Sequence, residues 1–150
     1  MATTPELTEA TLTQYLCGER TWAELAGFTA EQAQVVADHG VACLLAGKLP
    51  EAVVVFDGLL AFNPRDAFAH AARGALYEHE GDDTAALAHY CAALELAPDF
   101  LAPRLARAEV LLRLGHRDLA RADVAAAESG APAGADARRL AALRARLAPA

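Results

Sequence analysis

Aromatic side chains make up only 6% of this 150-residue chain, and cysteine occurs three times. No apolar run approaches the roughly 18 residues that a membrane span needs, so no transmembrane helix is expected. Cys17, Cys43 and Cys91 are odd in number and lack CxxC spacing, which argues against a disulfide framework and for a reducing compartment. The start Met-Ala-Thr-Thr-Pro-Glu has no basic stretch followed by an apolar core, so no signal peptide is read and a soluble cytoplasmic protein is expected. Strand-like runs are few, the clearest being the short Val53–Phe56 inside a helical pattern. Basic side chains are scarce as well: residues 1–100 carry 4 against 15 acidic ones, whereas residues 101–150 carry 9 against 5. An acidic body argues against non-specific nucleic-acid binding, which needs a basic footprint. The basic last third reads either as a solvated helix face or as a surface for an acidic partner, including the acidic end of a second copy.

Catalytic signatures are missing too. The histidines are His39, His70, His79, His89 and His116; none forms HExxH and none stands at ligand spacing with cysteine. No glycine loop cradles phosphate, and no nucleophilic triad has a local motif. The polar run Tyr77–Asp83 contains metal-ligand residue types, but such groups also crowd any exposed helix end. The expectation is no enzyme, no cofactor and no metal.

What is present is a beat. Gly47, Gly81 and Gly115, then Ala52, Ala86 and Ala120, then Pro64, Pro98 and Pro132 each recur at a spacing of 34 residues. That period marks stacked helix–turn–helix units of the tetratricopeptide repeat (TPR) type. The predicted fold is all-α, a single domain over 1–150: N-terminal helices in 1–32, repeats at 33–66, 67–100 and 101–134, and a capping helix in 135–150. Together these would wind into a right-handed superhelix with a concave groove. In each unit a small residue (Gly40, Gly74, Ala108) marks where two helices cross, followed three residues later by Cys43, Tyr77 and Leu111. The second helices present Ala52/Phe56, Ala86/Tyr90 and Ala120/Val124, pairs four apart and therefore on one face. Thr4 with Pro5 reads as a first helix start, and Thr21–Glu24 and Thr29–Gln32 as capping boxes. After the breaker cluster Ser129–Gly134, a helix from Asp136 to Leu147 places Leu140, Leu143 and Leu147 on one side, which suits a terminal cap.

In a TPR array the first helices line the concave face. Cochaperones that grip a C-terminal carboxylate do so with a clamp of lysine, asparagine and arginine. The matching positions here are Ala37, Val41, Ala72, Ala102 and Ala106, so the clamp is absent. An extended peptide with apolar anchors fits such a wall instead. Leu44, Leu45, Leu105 and Leu112 stay open to a second reading, as residues that pack against neighbouring helices or the cap.

The run Thr21–Gln32, containing Leu25-Ala26-Gly27-Phe28-Thr29-Ala30-Glu31, precedes Gly47-Lys48-Leu49-Pro50-Glu51-Ala52 and Phe56. With Gly81-Asp82 and the stretch Ala86–Pro98, this resembles the SycD/LcrH-type class II chaperones of type III secretion over about residues 20 to 128. The resemblance implies a cytoplasmic chaperone that holds an extended segment of a hydrophobic translocator client in its groove, and dimerisation through the N-terminal helices. Carried over by position, the peptide-binding residues it implies are Val41, Leu44, Leu45, Phe68, Ala71, Ala75, Leu105 and Leu112. Cys43 and Leu49 stand where the family favours aromatics, Ala108 breaks the glycine series, and the arginine-rich C-terminal helix lies outside the likeness. The alternative is a TPR scaffold serving another complex.

Overall fold

The computed structural model describes residues 8–130 and 133–148, and all regular structure among them is helical. The order is α1 (Glu9–Leu16), α2 (Trp22–Leu25), α3 (Ala30–Leu45), α4 (Leu49–Phe62), α5 (Ala67–Glu80), α6 (Asp83–Leu96), α7 (Leu101–Arg113), α8 (Arg117–Glu128) and α9 (Gly134–Leu147). The helix start expected at Thr4-Pro5, and Pro132, lie outside the described residues; α1 is capped by Thr8. Among the described residues no helix is long and apolar enough to cross a membrane. By its internal contacts the chain divides into two compact units, Met1–Ala69 and His70–Ala150.

The TPR pairs are α3/α4, α5/α6 and α7/α8, and the beat glycines terminate their first helices. Gly47, Gly81 and Gly115 take φ of +72°, +79° and +84°, a region that a Cβ disfavours. At each, the next residue's N–H reaches back five positions to close the helix: Lys48 to the Cys43 carbonyl at 2.9 Å, Asp82 to Tyr77 at 2.9 Å, and His116 to Leu111 at 2.8 Å. These are Schellman closures, which satisfy carbonyls that the helix end would otherwise strand. Both capping boxes form, with the Thr21 N–H donating to the Glu24 carboxylate at 2.7 Å and the Thr29 N–H to the Gln32 side-chain oxygen at 2.9 Å.

In the first unit, α3 crosses α4 at Gly40. A Cβ there would lie 2.7 Å from Phe56 Cζ and 2.9 Å from Val55 Cγ1. In the second unit Gly74 meets Tyr90 in the same way, at 2.6 Å. The third pair reverses the arrangement: Ala108 and Val124 are both buried in one apolar cluster. The smaller valine leaves room for the methyl group that an aromatic ring excludes, which accounts for the break in the glycine series. Gly40→Ala is therefore expected to lose about 1–3 kcal/mol from overpacking, more than the roughly 1 kcal/mol that alanine gains in a helix interior. The double variant Gly40→Ala/Phe56→Val, which copies the third pair, should lose less than the two single changes summed. Urea denaturation of all three measures that coupling.

The cap closes the second unit. Leu140, Leu143 and Leu147 of α9 pack with Leu105, Ala108 and Leu111 of α7 and Ala120, Val124 and Ala127 of α8. Each buried leucine contributes on the order of 1.5–3 kcal/mol. The Arg117 and Arg121 side chains donate to the carbonyls of Arg146 and Leu147, which would otherwise be left open at the helix end. Much of the basic charge of the last third is engaged inside the unit in this way, including Arg107 with Asp123, Arg139 with Glu109 and Arg144 with Glu128.

Candidate peptide-binding site

The sequence-predicted residues fall into three groups. On the first unit, Val41 and Leu44 are half-buried on α3, Leu45 is 85% exposed, and Phe68 is exposed with its ring 6.2 Å from that of Phe56. On the second unit, Ala71 and Ala75 share one hollow, described below. Leu105 stands apart. It is 0% exposed and sits in the core rather than on an open wall, because the α9 leucines cover that side of α7; Leu112 packs partly against the same cluster.

The hollow of the second unit has a volume of about 210 Å³ and is lined by α5 (Ala71, Ala75, Glu78), α6 (Tyr90), α7 (Ala102, Pro103, Ala106) and α9 (Arg139). Its existence follows from small side chains. Alanine on two adjacent first helices leaves a recess where leucine would have filled it. Ala102 and Ala106, two of the positions where a carboxylate clamp would need cations, form part of this apolar floor.

Around the recess the polar groups are already committed to one another. The Tyr90 hydroxyl donates to Glu78 Oε2 at 2.5 Å, and Arg113 Nη2 donates to Glu78 Oε1 at 2.6 Å. Arg113 also holds Asp83 through both Nε and Nη2, which draws the Asp83 carboxyl below its ordinary range. Arg139 grips Glu109 through Nε at 3.1 Å and Nη2 at 2.9 Å. The polar run Tyr77–Asp83 thus serves the fold, since Asp82 also caps α6 by accepting from the Ala85 N–H. Among the described residues no group of three or more His, Cys, Asp or Glu converges as a metal cluster would.

Burial, and then the Glu78 carboxylate that it donates to, push the Tyr90 hydroxyl well above the ordinary tyrosine range. The sign of the linkage is fixed by the proton count. Below about pH 10 both folded and unfolded chains keep the phenolic proton, so the hydroxyl adds no pH dependence there. Above that, the unfolded chain releases it while the folded chain retains it, and stability should fall by about 1.4 kcal/mol per pH unit. Urea unfolding from about pH 9 to about pH 11 should show this alkaline slope, and Tyr90→Phe should flatten it.

Sequence reasoning placed Tyr90 on one helix face with Ala86; the structure buries it and gives its hydroxyl a partner that the sequence reading did not name. It also puts Arg139 in the hollow, which sequence reasoning missed altogether. A buried tyrosine requires an acceptor, and Glu78 on the preceding helix was the available signal. The Arg139–Glu109 pair spans 30 residues between helices, and no local spacing announces it.

No protein-family model matches the chain, and no curated protein is significantly similar to it in sequence. Solved structures do match. The Yersinia enterocolitica type III secretion translocator chaperone SycD superposes with a TM-score of 0.72 at 19% identity, covering 84% of this chain and 98% of SycD. PcrH, in complex with the chaperone binding region of PopD, gives 0.68 at 25% identity over 80% of this chain and 94% of its own. The TPR2B domain of yeast Sti1, in complex with pHsp70, gives 0.70 at 20% identity over 79% and 97%. Over the described residues the chain thus has the all-helical tetratricopeptide-repeat fold seen in the type III secretion translocator chaperones.

Proposed function

We propose that this protein is a cytoplasmic class II chaperone of type III secretion, holding a hydrophobic translocator through an extended segment. The observation that carries this reading is the alanine-floored hollow on α5 and α7, at first-helix positions where a TPR protein meets its ligand. The likeness to PcrH, whose structure contains a client segment, supports the same use. An apolar client side chain entering the hollow would contribute on the order of 1.5–3 kcal/mol before ordering costs. Val41, Leu44, Leu45 and Phe68 are the apolar surface that the first unit offers for peptide binding. The α1 side chains Leu12, Tyr15 and Leu16 are exposed and are the surface we assign to a second copy of the chain.

Co-expression with the products of neighbouring reading frames tests the chaperone reading. A neighbour with long apolar stretches should become soluble and co-purify with this chain. Ala75→Leu, which fills the hollow from a half-buried position, should lower the recovered complex at least tenfold while leaving the melting temperature within a few degrees. If every such neighbour stays insoluble with and without the chain, the chaperone reading fails and a scaffold in another complex takes its place.

A further inference from the structure

We infer that α9 is a wall of the client site and that Arg139 determines specificity there, donating from Nη1 to a backbone carbonyl of an uncharged client segment. This rests on the client reading above and goes beyond it by naming what the site selects. Among the residues that line the hollow, Arg139 is the one contributed by α9; the rest come from α5, α6 and α7. The cap therefore does more than cover leucines.

Three features assign the role. First, Glu109 engages Nε and Nη2, one edge of the guanidinium, so the Nη1 donors are outside that bridge. The side chain is 38% exposed, so a ligand in the hollow can reach it. Second, the two bonds to Glu109 already fix the side chain, so a third bond orders little further. Third, the charges select a neutral occupant. Glu78 is compensated by Arg113 and Tyr90, and Glu109 by Arg139. A client carboxylate would meet Glu78 and Glu109, and a client cation would meet Arg139 and Arg113. Either would have to displace an existing partner, whereas a peptide carbonyl needs only a donor. Glu78 retains lone pairs for a client N–H, so the hollow offers an acceptor from α5 and a donor from α9. An extended backbone presents both complements. The client side chain entering the alanine floor is then aliphatic, with uncharged neighbours.

The probe is a fluorescein-labelled dodecapeptide selected on the full chain from a random phage-displayed library. Selected peptides should share an aliphatic residue with uncharged neighbours. Arg139→Ala should weaken binding of the labelled peptide at least tenfold, while Arg144→Ala, which removes an arginine of the same helix paired with Glu128, should leave it unchanged. Replacing the peptide's amides one at a time by esters, whose carbonyls are weaker acceptors, gives a readout that a purely structural role would not move. One ester should weaken binding to the native chain and cost nothing further in Arg139→Ala. If Arg139→Ala lowers the melting temperature, the pair Arg139→Met/Glu109→Leu removes the bridge without stranding Glu109 and should show the same loss. Equal binding by native chain and Arg139 variants, or ester losses that simply add, would overturn the role of Arg139 and leave the client reading standing. A library that yields no peptide on the native chain would overturn both.

Discussion

Leu105→Glu is expected to unfold the second unit rather than merely empty a binding wall. Leu105 is completely buried among leucines of α7 and α9 and alanines of α7 and α8. Removing its apolar side chain alone costs about 2–5 kcal/mol. A glutamate there also needs a proton or a partner, and the surrounding cluster is aliphatic. The two losses together rival the whole stability of a small domain, roughly 5–15 kcal/mol. Far-UV circular dichroism should show a large fall in helix content, and urea unfolding a midpoint near zero denaturant. Leu44→Glu is the contrast. Leu44 is half-buried on α3, so the new carboxylate can reach water, and helix content should stay close to that of the native chain. If Leu105→Glu instead folds with a native melting temperature and loses only client binding, α9 does not cover that side of α7 in solution.

That contrast marks where the sequence stopped being readable. The 34-residue beat identified the TPR fold because each beat position has a local physical task. Gly47, Gly81 and Gly115 adopt positive φ at helix ends, and Thr21 and Thr29 close capping boxes within three residues. Such tasks are decided by near neighbours. The face of each first helix is decided elsewhere. By register Leu105 matches Ala37 and Ala71, but Ala71 lines a hollow while Leu105 lies under α9. Only the placement of the cap separates them. Arg139 was hidden for the same reason.

One long-range rule was nevertheless present in the numbering. Gly40 meets Phe56, Gly74 meets Tyr90, and Ala108 shares a cluster with Val124, each an offset of 16 residues. Position 107 lies beside 108, and its partner at the same offset is 123. A buried Arg–Asp pair was therefore predictable from the repeat geometry. Counting charges along the chain instead grouped these residues with a solvated face or a partner surface.

Asp123→Ala tests that pair and should be the second most damaging of these substitutions. Asp123 is only 4% exposed. It accepts from Arg107 Nε at 2.8 Å and Nη2 at 2.6 Å, and Arg104 Nη1 lies 3.8 Å away. The bidentate bond to Asp123 holds Arg107 firmly in its charged form, with Cys91 Sγ accepting from Nη1 at 3.5 Å. Removing the carboxylate leaves a partly buried guanidinium without its counter-charge, which typically costs about 3–5 kcal/mol. The pair itself is worth far less than that loss, because desolvation offsets much of the attraction. Asp123→Leu combined with Arg107→Met should therefore recover most of the stability lost by Asp123→Ala. Urea denaturation of the single and double variants measures this directly. A loss below about 1 kcal/mol for Asp123→Ala would place the pair with ordinary exposed ion pairs and show that α7 and α8 are held together by their apolar faces alone.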